Sequence, residues 1–399
     1  MSEKDIRSPK HLERETVLGL VGRNPEQSEG TVNIPVYHAS TILYPNVEKY
    51  HEKTGPKALN VNNYGRIGTS TTRAVEQAMA VLEGGDMAVN FPSGLAAVVG
   101  ALTTFLSAGD HLLIADNVYG PSRAFCRDVL KKFGVDVEFF DPMLGAEIRT
   151  LFCNETKVVY FESPGSQSFE VADVSAICSA AHDKNILTIM DNTWSAGYYF
   201  HPFDHGVDIS VQAATKYQCG HADAMLGFVI CKNEHYEKLK INTIRFGTCA
   251  GPDVCNLGLR GIRTLDVRMP RHYETGLKLA EWLTGRDEVK TVLHPALSTS
   301  VGHEFWKRDF SGASGLFGVV LKDYPQKTVD NMINGLKLYG LGDSWGGYES
   351  LLVPSNPGRS RTATQWPHKE PGMRIHAGLE NFEDLRDDLA DGLNKLSAA

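Results

Sequence analysis

No apolar stretch in this 399-residue chain approaches the roughly 18 residues that a membrane-spanning helix requires. The opening, MSEKDIRSPKHLERE, is charged and has no apolar core, so no signal peptide is expected there. Basic residues are outnumbered: 40 Lys and Arg face 48 Asp and Glu, and the net charge of −8 argues against nucleic acid or an anionic membrane as the main partner. Cysteine is sparse and unpaired in pattern. The seven residues (Cys126, Cys153, Cys178, Cys219, Cys231, Cys249, Cys255) form an odd set without CxxC spacing. Several lie in apolar runs such as GFVIC, which suits buried thiols in a reducing cytoplasm better than a disulfide framework. Fourteen histidines yield no HExxH, and GHEFW at 302–306 is only half of one, so no protein metal site is expected. No GxGxxG follows the first strand, which removes a dinucleotide-binding oxidoreductase. Internal repeats, low-complexity tracts and Gly/Ser linkers are also missing.

What is present is a regular alternation of helix and strand from about residue 66. TTRAVEQAMAVLEGG reads as a helix closed by Gly84, then MAVNF as a strand, PSG as a turn and LAAVVGALTTFLSAG as a second helix. Further strands are expected at HLLIAD, VDVEFF, KVVYFES, NILTIMD, DISVQAA and AMLGFVICK, with helical segments between several of them. Such alternation predicts an α/β fold with a doubly wound, mostly parallel sheet. After Arg263 the texture changes. A long helix interrupted near Pro270 is expected, then a smaller α+β unit with a strand at SGLFGVVLK, helices at KTVDNMINGLK and NFEDLRDDLADGLNKL, and a proline-rich loop, VPSNPGRSRTATQWPHKEPG. Three units follow: an N-terminal arm at 1–65, too polar for a core of its own and expected to pack on a neighbouring subunit, a large domain at 66–262 and a small domain at 263–399.

Two of the expected strands end on chemistry. ILTIM closes on Asp191, and DISVQAAT on Lys216. Ligands of open parallel sheets bind at the carboxyl ends of the strands, so a carboxylate and an amine delivered there face one pocket. A pyridoxal phosphate site needs that pair, a lysine for the Schiff base and an acid for the protonated ring nitrogen. An ordinary ion pair explains an isolated Asp–Lys couple better. Ser93-Gly94-Leu95, between a strand and a helix, offers backbone N–H groups to a phosphate, although a plain turn has the same look. Thr215 adds a hydroxyl, and Tyr64 and Arg66 a phenol and a guanidinium suited to phosphate. A ring at Tyr119, after another strand end, can stack on a flat heterocycle. Arg374, inside the apolar GMRIHAGLE, fits either a substrate carboxylate or an internal salt bridge. The glycine-rich SWGGYES at 344–350 reads as a pocket wall or as a tight turn.

With these residues in this order, the chain resembles the Cys/Met-metabolism group of pyridoxal-phosphate enzymes. The marks are YGRIGTSTT, LEGG, PSGLAAV, MDNTW, ATKYQCGHAD, RGIRTLDVRM, SWGGYES and RIHAGLE, spread over roughly residues 60–380. The resemblance implies the aspartate-aminotransferase-like fold (fold type I). Within the group it is similar to the bacterial cystathionine β-lyase branch. Ile67-Gly68-Thr69 stands where synthases and γ-lyases carry Asn-Pro-Thr, Ala213 replaces a serine three residues before the lysine, Trp345 replaces a leucine, and ESPGSQSFEV lacks the usual Asn-Pro.

What the resemblance implies can be stated residue by residue. Pyridoxal 5′-phosphate would be held covalently on Lys216, with Asp191 on its ring nitrogen and Tyr119 stacked on the ring. Gly94, Leu95 and Thr215 would hold its phosphate, together with Tyr64 and Arg66 from a neighbouring subunit. Arg374, Ser344, the Trp345 backbone and Tyr119 would bind the substrate, a sulfur amino acid such as L-cystathionine or cystine. Tyr119 and Asp191 would count with Lys216 as catalytic, Tyr119 by assisting proton handling. Lys216 would act as base and acid in β-elimination. The expected assembly is a cytoplasmic homo-oligomer, a dimer with shared sites and usually a tetramer. A γ-lyase or γ-synthase of the same group and a catalytically silent regulatory homologue are the competing readings.

Overall fold

The computed structural model describes residues 12–54 and 59–397. Most of the charged N-terminal stretch examined for a signal peptide therefore lies outside the described residues. The large sheet comprises β1 (Met87–Phe91), β2 (His111–Ala115), β3 (Asp136–Phe140), β4 (Thr156–Glu162), β5 (Leu187–Asp191), β6 (Ile209–Gln212) and β7 (Gly227–Cys231). Their spatial order is β1-β7-β6-β5-β4-β2-β3. All are mutually parallel except β7, which runs against β1 and β6. Helices cover the sheet, so the inner strands are buried on both faces and read as apolar runs, whereas the edge strand β3 leaves Asp136 and Glu138 exposed. HLLIA and GFVIC are buried at every residue.

Local signals fix the helix ends that matter here. The helix Ser70–Glu83 starts with a capping box between Thr69 and Thr72 and stops at Gly84, whose φ of 77° is left-handed. Gly94–Phe105 is capped by Ser93, whose hydroxyl accepts from the Ala96 N–H at 3.1 Å.

A second, four-stranded antiparallel sheet contains β8 (Val289–Leu293), β9 (Leu316–Leu321), β10 (Leu351–Ser355) and β11 (Gly372–His376), in the order β10-β11-β9-β8. It has its own core of Phe317, Val319, Ile375, Leu385 and Leu389. Two hydrogen bonds tie it to the large sheet's site loops. Trp194 Nε1 donates to the Leu316 carbonyl at 3.0 Å, and the Gly315 N–H donates to the Tyr217 hydroxyl at 3.0 Å.

Two details differ from expectation. The helix Leu265–Thr284 continues through Pro270 instead of breaking; a proline in its second turn removes one backbone bond early in the helix, and fourteen further residues carry on. The proline-rich loop yields its first three residues to β10, where Pro354 pairs with Met373. β10 is an edge strand, the position in a sheet that tolerates a missing N–H. In the N-terminal segment, the helix Arg14–Leu20 packs on this chain's own core through Val17, Leu18 and Val21. Arg14 donates to the Tyr198 carbonyl and Arg263 to the Leu18 carbonyl, each at 2.6 Å.

Candidate active site

Asp191 ends β5, and Lys216 follows β6 by four residues, so both lie at the carboxyl edge of adjacent parallel strands. Asp191 is buried. Its Oδ1 accepts from the Thr193 N–H at 3.0 Å and the Thr193 hydroxyl at 2.6 Å. The same Thr193 oxygen accepts from the Ala213 N–H at 2.9 Å, which joins the two strand ends. Burial pushes the Asp191 carboxyl up, and the Thr193 bonds and the Lys216 charge partly oppose it.

Lys216 is held at its tip. Nζ donates to Ser344 Oγ at 2.6 Å and lies 5.2 Å from the Trp345 ring centroid. Desolvation, then the Arg374 charge, bring the amine down to about 8, against the pull of Asp191 and Asp343. A lysine in that range is a proton acceptor near neutral pH.

Arg374 on β11 donates from Nη2 to the Ser344 carbonyl at 3.1 Å. Ser344 therefore touches both cations, its hydroxyl on the amine and its carbonyl on the guanidinium. It does so from a left-handed backbone with φ of 84°, strained for a residue with a Cβ. Gly346 next to it also has a positive φ, and a Cβ there would stand 2.9 Å from the Lys216 carbonyl carbon. Only glycine lets the SWGG turn close onto the lysine.

The N–H groups of Gly94 and Leu95 open a helix and have no intrahelical acceptor. A Cβ on Gly94 would lie 2.4 Å from the Ala213 Cβ, so this helix start sits tight against the chain leading to Lys216. Thr215 is nearby, but its hydroxyl closes a loop, accepting from the Leu226 N–H at 2.9 Å and donating to the Leu226 carbonyl at 3.2 Å. Tyr119 is half-exposed at the start of the helix Gly120–Asp128, and its N–H donates to Glu162 Oε2 at 2.6 Å.

Tyr64 and Arg66 lie elsewhere. Arg66 Nη1 donates to the Ile244 carbonyl at 2.6 Å, the guanidinium sits 5.8 Å from the Tyr64 ring, and Tyr64 is 44 % exposed. Among the described residues no hydrogen bond or ion pair links either to Lys216, Asp191 or Arg374.

One neighbour of the site escaped the sequence reading. Glu162 ends β4 in register with Asp191. Burial raises its pKa well above the carboxylate norm, and Asp191 adds to the rise. The signal was available, because TKVVYFE closes an apolar run on an acid just as LTIMD does.

The donor set fits pyridoxal phosphate: an amine with a lowered pKa, a buried acid on the adjacent strand, and a helix N-terminus in contact with the same chain segment. A family model described as Cys/Met metabolism PLP-dependent enzyme matches residues 15–394. Cystathionine beta-lyase MetC of Escherichia coli is 41% identical over 390 residues, 96% of this chain and 98% of that one. An L-alanine/L-glutamate racemase of Wolbachia pipientis is 37% identical over 396 residues, covering 96% and 98%. Among solved structures, MetB from Corynebacterium glutamicum superposes with a TM-score of 0.89 at 28% identity, over 98% of this chain and 100% of that chain.

Proposed function

The chain belongs to the Cys/Met metabolism PLP-dependent enzymes, and from that premise we propose that it is a carbon–sulfur lyase, a cystathionine β-lyase that converts L-cystathionine and water to homocysteine, pyruvate and ammonia. The observation that carries the reading is the shared grip on Ser344. The amine of Lys216 and the guanidinium of Arg374 converge on one residue, so a base and a carboxylate anchor stand side by side.

Lys216 is the residue that would hold the cofactor, Asp191 would meet its ring nitrogen, and Gly94, Leu95 and Thr215 would hold its phosphate. Bound there, pyridoxal phosphate supplies an electron-poor ring that accepts the electron pair left when a proton leaves the substrate Cα. Arg374 takes the substrate α-carboxylate in a bidentate contact, with the Ser344 carbonyl steadying the guanidinium. Tyr119 would stack on the cofactor's ring. Lys216 would remove the Cα proton and deliver a proton to the sulfur as the Cβ–S bond breaks. Ser344 Oγ parks the amine between these two tasks. The sulfur departs as homocysteine, and the three-carbon remainder takes up water to give pyruvate and ammonia.

Tyr64 and Arg66, exposed and remote from their own Lys216, serve the phosphate of a second copy, and the active unit is a cytoplasmic homodimer or a tetramer of such dimers. Among the described residues no helix is long and apolar enough to cross a membrane.

The test is product identity from purified, cofactor-loaded protein given L-cystathionine. Homocysteine with pyruvate and ammonia is expected; cysteine with 2-oxobutyrate would make the enzyme a γ-lyase. Racemases and β-lyases share the first step, loss of the Cα proton, so the L-alanine racemisation rate measured in parallel should be the minor one. A racemisation rate above the elimination rate would reverse the assignment.

Arg374→Ala should lower kcat/KM for cystathionine roughly ten- to a hundredfold, the worth of a lost charge-assisted contact. The loss should fall mainly on KM. An unchanged dependence of rate on cystathionine concentration would contradict a role in carboxylate binding.

A further inference from the structure

Behind the site lies a carboxylate that the mechanism does not use. Glu83, the last residue of the helix Ser70–Glu83, is fully buried. Its hydrogen-bond partners are all neutral. Oε2 accepts from the Ser210 hydroxyl at 2.6 Å, Oε1 accepts from Gln212 Nε2, and both oxygens receive Asn192 Nδ2 at 3.2 Å. Burying an acid without a cation is costly, and here burial lifts its pKa to about 7 even against these donors. Such a residue asks for an explanation.

The partners supply one. Asn192 follows Asp191 directly, and Ser210 and Gln212 belong to the strand that leads to Lys216. Gln212 also donates to the Asn192 carbonyl at 2.7 Å and accepts from Gln218 Nε2 at 2.9 Å. Gly197, with φ of 66°, passes so close that a Cβ would lie 2.2 Å from Glu83 Oε1, so the loop after Asp191 wraps the carboxylate. Asp208 ties the same two strands at their amino ends, accepting from the Thr188 N–H at 2.8 Å, whereas Glu83 acts toward their carboxyl ends.

We propose that Glu83 is a positioning residue, a clamp that in its ionised form accepts from all of these donors and locks the ends of β5 and β6 so that Asp191 and Lys216 meet one cofactor. The proposal rests on the pyridoxal-phosphate reading of the site. A carboxylate can receive every one of these donors at once, whereas a carboxamide must turn its NH2 toward at least one of them.

The test uses the full chain with Glu83→Gln and Ser210→Ala, each compared with the wild type in melting temperature, oligomeric state, affinity of the apoprotein for pyridoxal phosphate by spectroscopic titration, and kcat and KM for cystathionine. Glu83→Gln should weaken cofactor affinity and lower kcat, each by about tenfold, as one mismatched buried hydrogen bond would. KM should stay near the wild-type value, because Arg374 is carried by the other sheet. Ser210→Ala removes a single donor and should give a loss of roughly threefold in affinity. A folded Glu83→Gln protein with wild-type affinity and kcat overturns the proposal, and so does one that loses only thermal stability. If Glu83→Gln does not fold, Ser210→Ala decides alone, and unchanged cofactor affinity there overturns it. A wild-type apoprotein that takes up no pyridoxal phosphate overturns the cofactor reading itself, an outcome visible before any variant is compared.

Discussion

Lys216→Ala is expected to end turnover and to remove the yellow colour of the lysine-linked cofactor. In the proposed reading Lys216 has two tasks, covalent capture of the cofactor and proton transfer at Cα and sulfur. No neighbour replaces it. Arg374 stays protonated, Ser344 is a weak base, and Lys240 is spent on Glu76 in another part of the molecule. The expected fall in kcat is on the order of ten-thousandfold, the upper range for loss of a general base. Borohydride reduction followed by mass measurement reads the other task directly. The wild type should gain the mass of one reduced cofactor per chain, and the variant none. Capture should also depend on pH in a definite sense. Only the unprotonated amine attacks a carbonyl, and the amine titrates at about 8. The capture rate should therefore climb as pH rises toward that value and flatten above it. Steady-state cystathionine cleavage by Lys216→Ala would reject the assignment.

The parts of this site that the sequence reveals are those that obey strand periodicity. β5 and β6 are parallel strands buried on both faces, so each shows as an apolar run, and the residue closing each run stands at the ligand edge. Asp191 and Lys216 are legible for that reason. Glu162 obeys the same rule, an acid that closes the apolar run TKVVYFE. Glu83 is a different case. A glutamate in the last turn of an amphipathic helix has the look of a surface residue, and only docking against Asn192, Ser210 and Gln212 makes it an interior one. The left-handed backbone of Ser344 is equally silent in sequence, since serine does not advertise a positive φ as glycine does. Pro354 and Pro270 misled in the opposite direction. Proline argues against strand and helix in general, yet an edge strand and an early helical turn absorb it. The helix Arg14–Leu20 is too short to stand without tertiary contacts, and its docking partners, Tyr198 and Arg263, are far away in the chain. A role for Tyr64 and Arg66 at a shared site concerns a second copy of the chain, and no periodicity within one chain encodes it.

Asp191→Ala should be the second large loss, and the comparison with Asp191→Asn separates its causes. The carboxylate is buried and oriented by Thr193, with only Lys216 as a partly compensating charge in the protein itself. In the proposed reading a protonated ring nitrogen would provide the missing counter-charge, and each of the two would hold the other in its charged form. Removing the acid leaves a buried cation without a partner, a penalty that corresponds to about a thousandfold in rate. The ring then sheds its proton and no longer draws electrons from Cα. Alanine also leaves a void and strips Thr193 of its acceptor, so it should weaken cofactor affinity as well. Asparagine keeps the volume and an acceptor for Thr193 but carries no charge. It should retain most of the cofactor affinity while losing nearly as much kcat as alanine. That divergence, read from cofactor titration beside steady-state kinetics, is what a charge role demands. If Asp191→Asn instead keeps near-normal kcat, the residue merely fills space and the ring nitrogen draws its proton from elsewhere. Glu162, in register on the next strand, would be the first residue to examine.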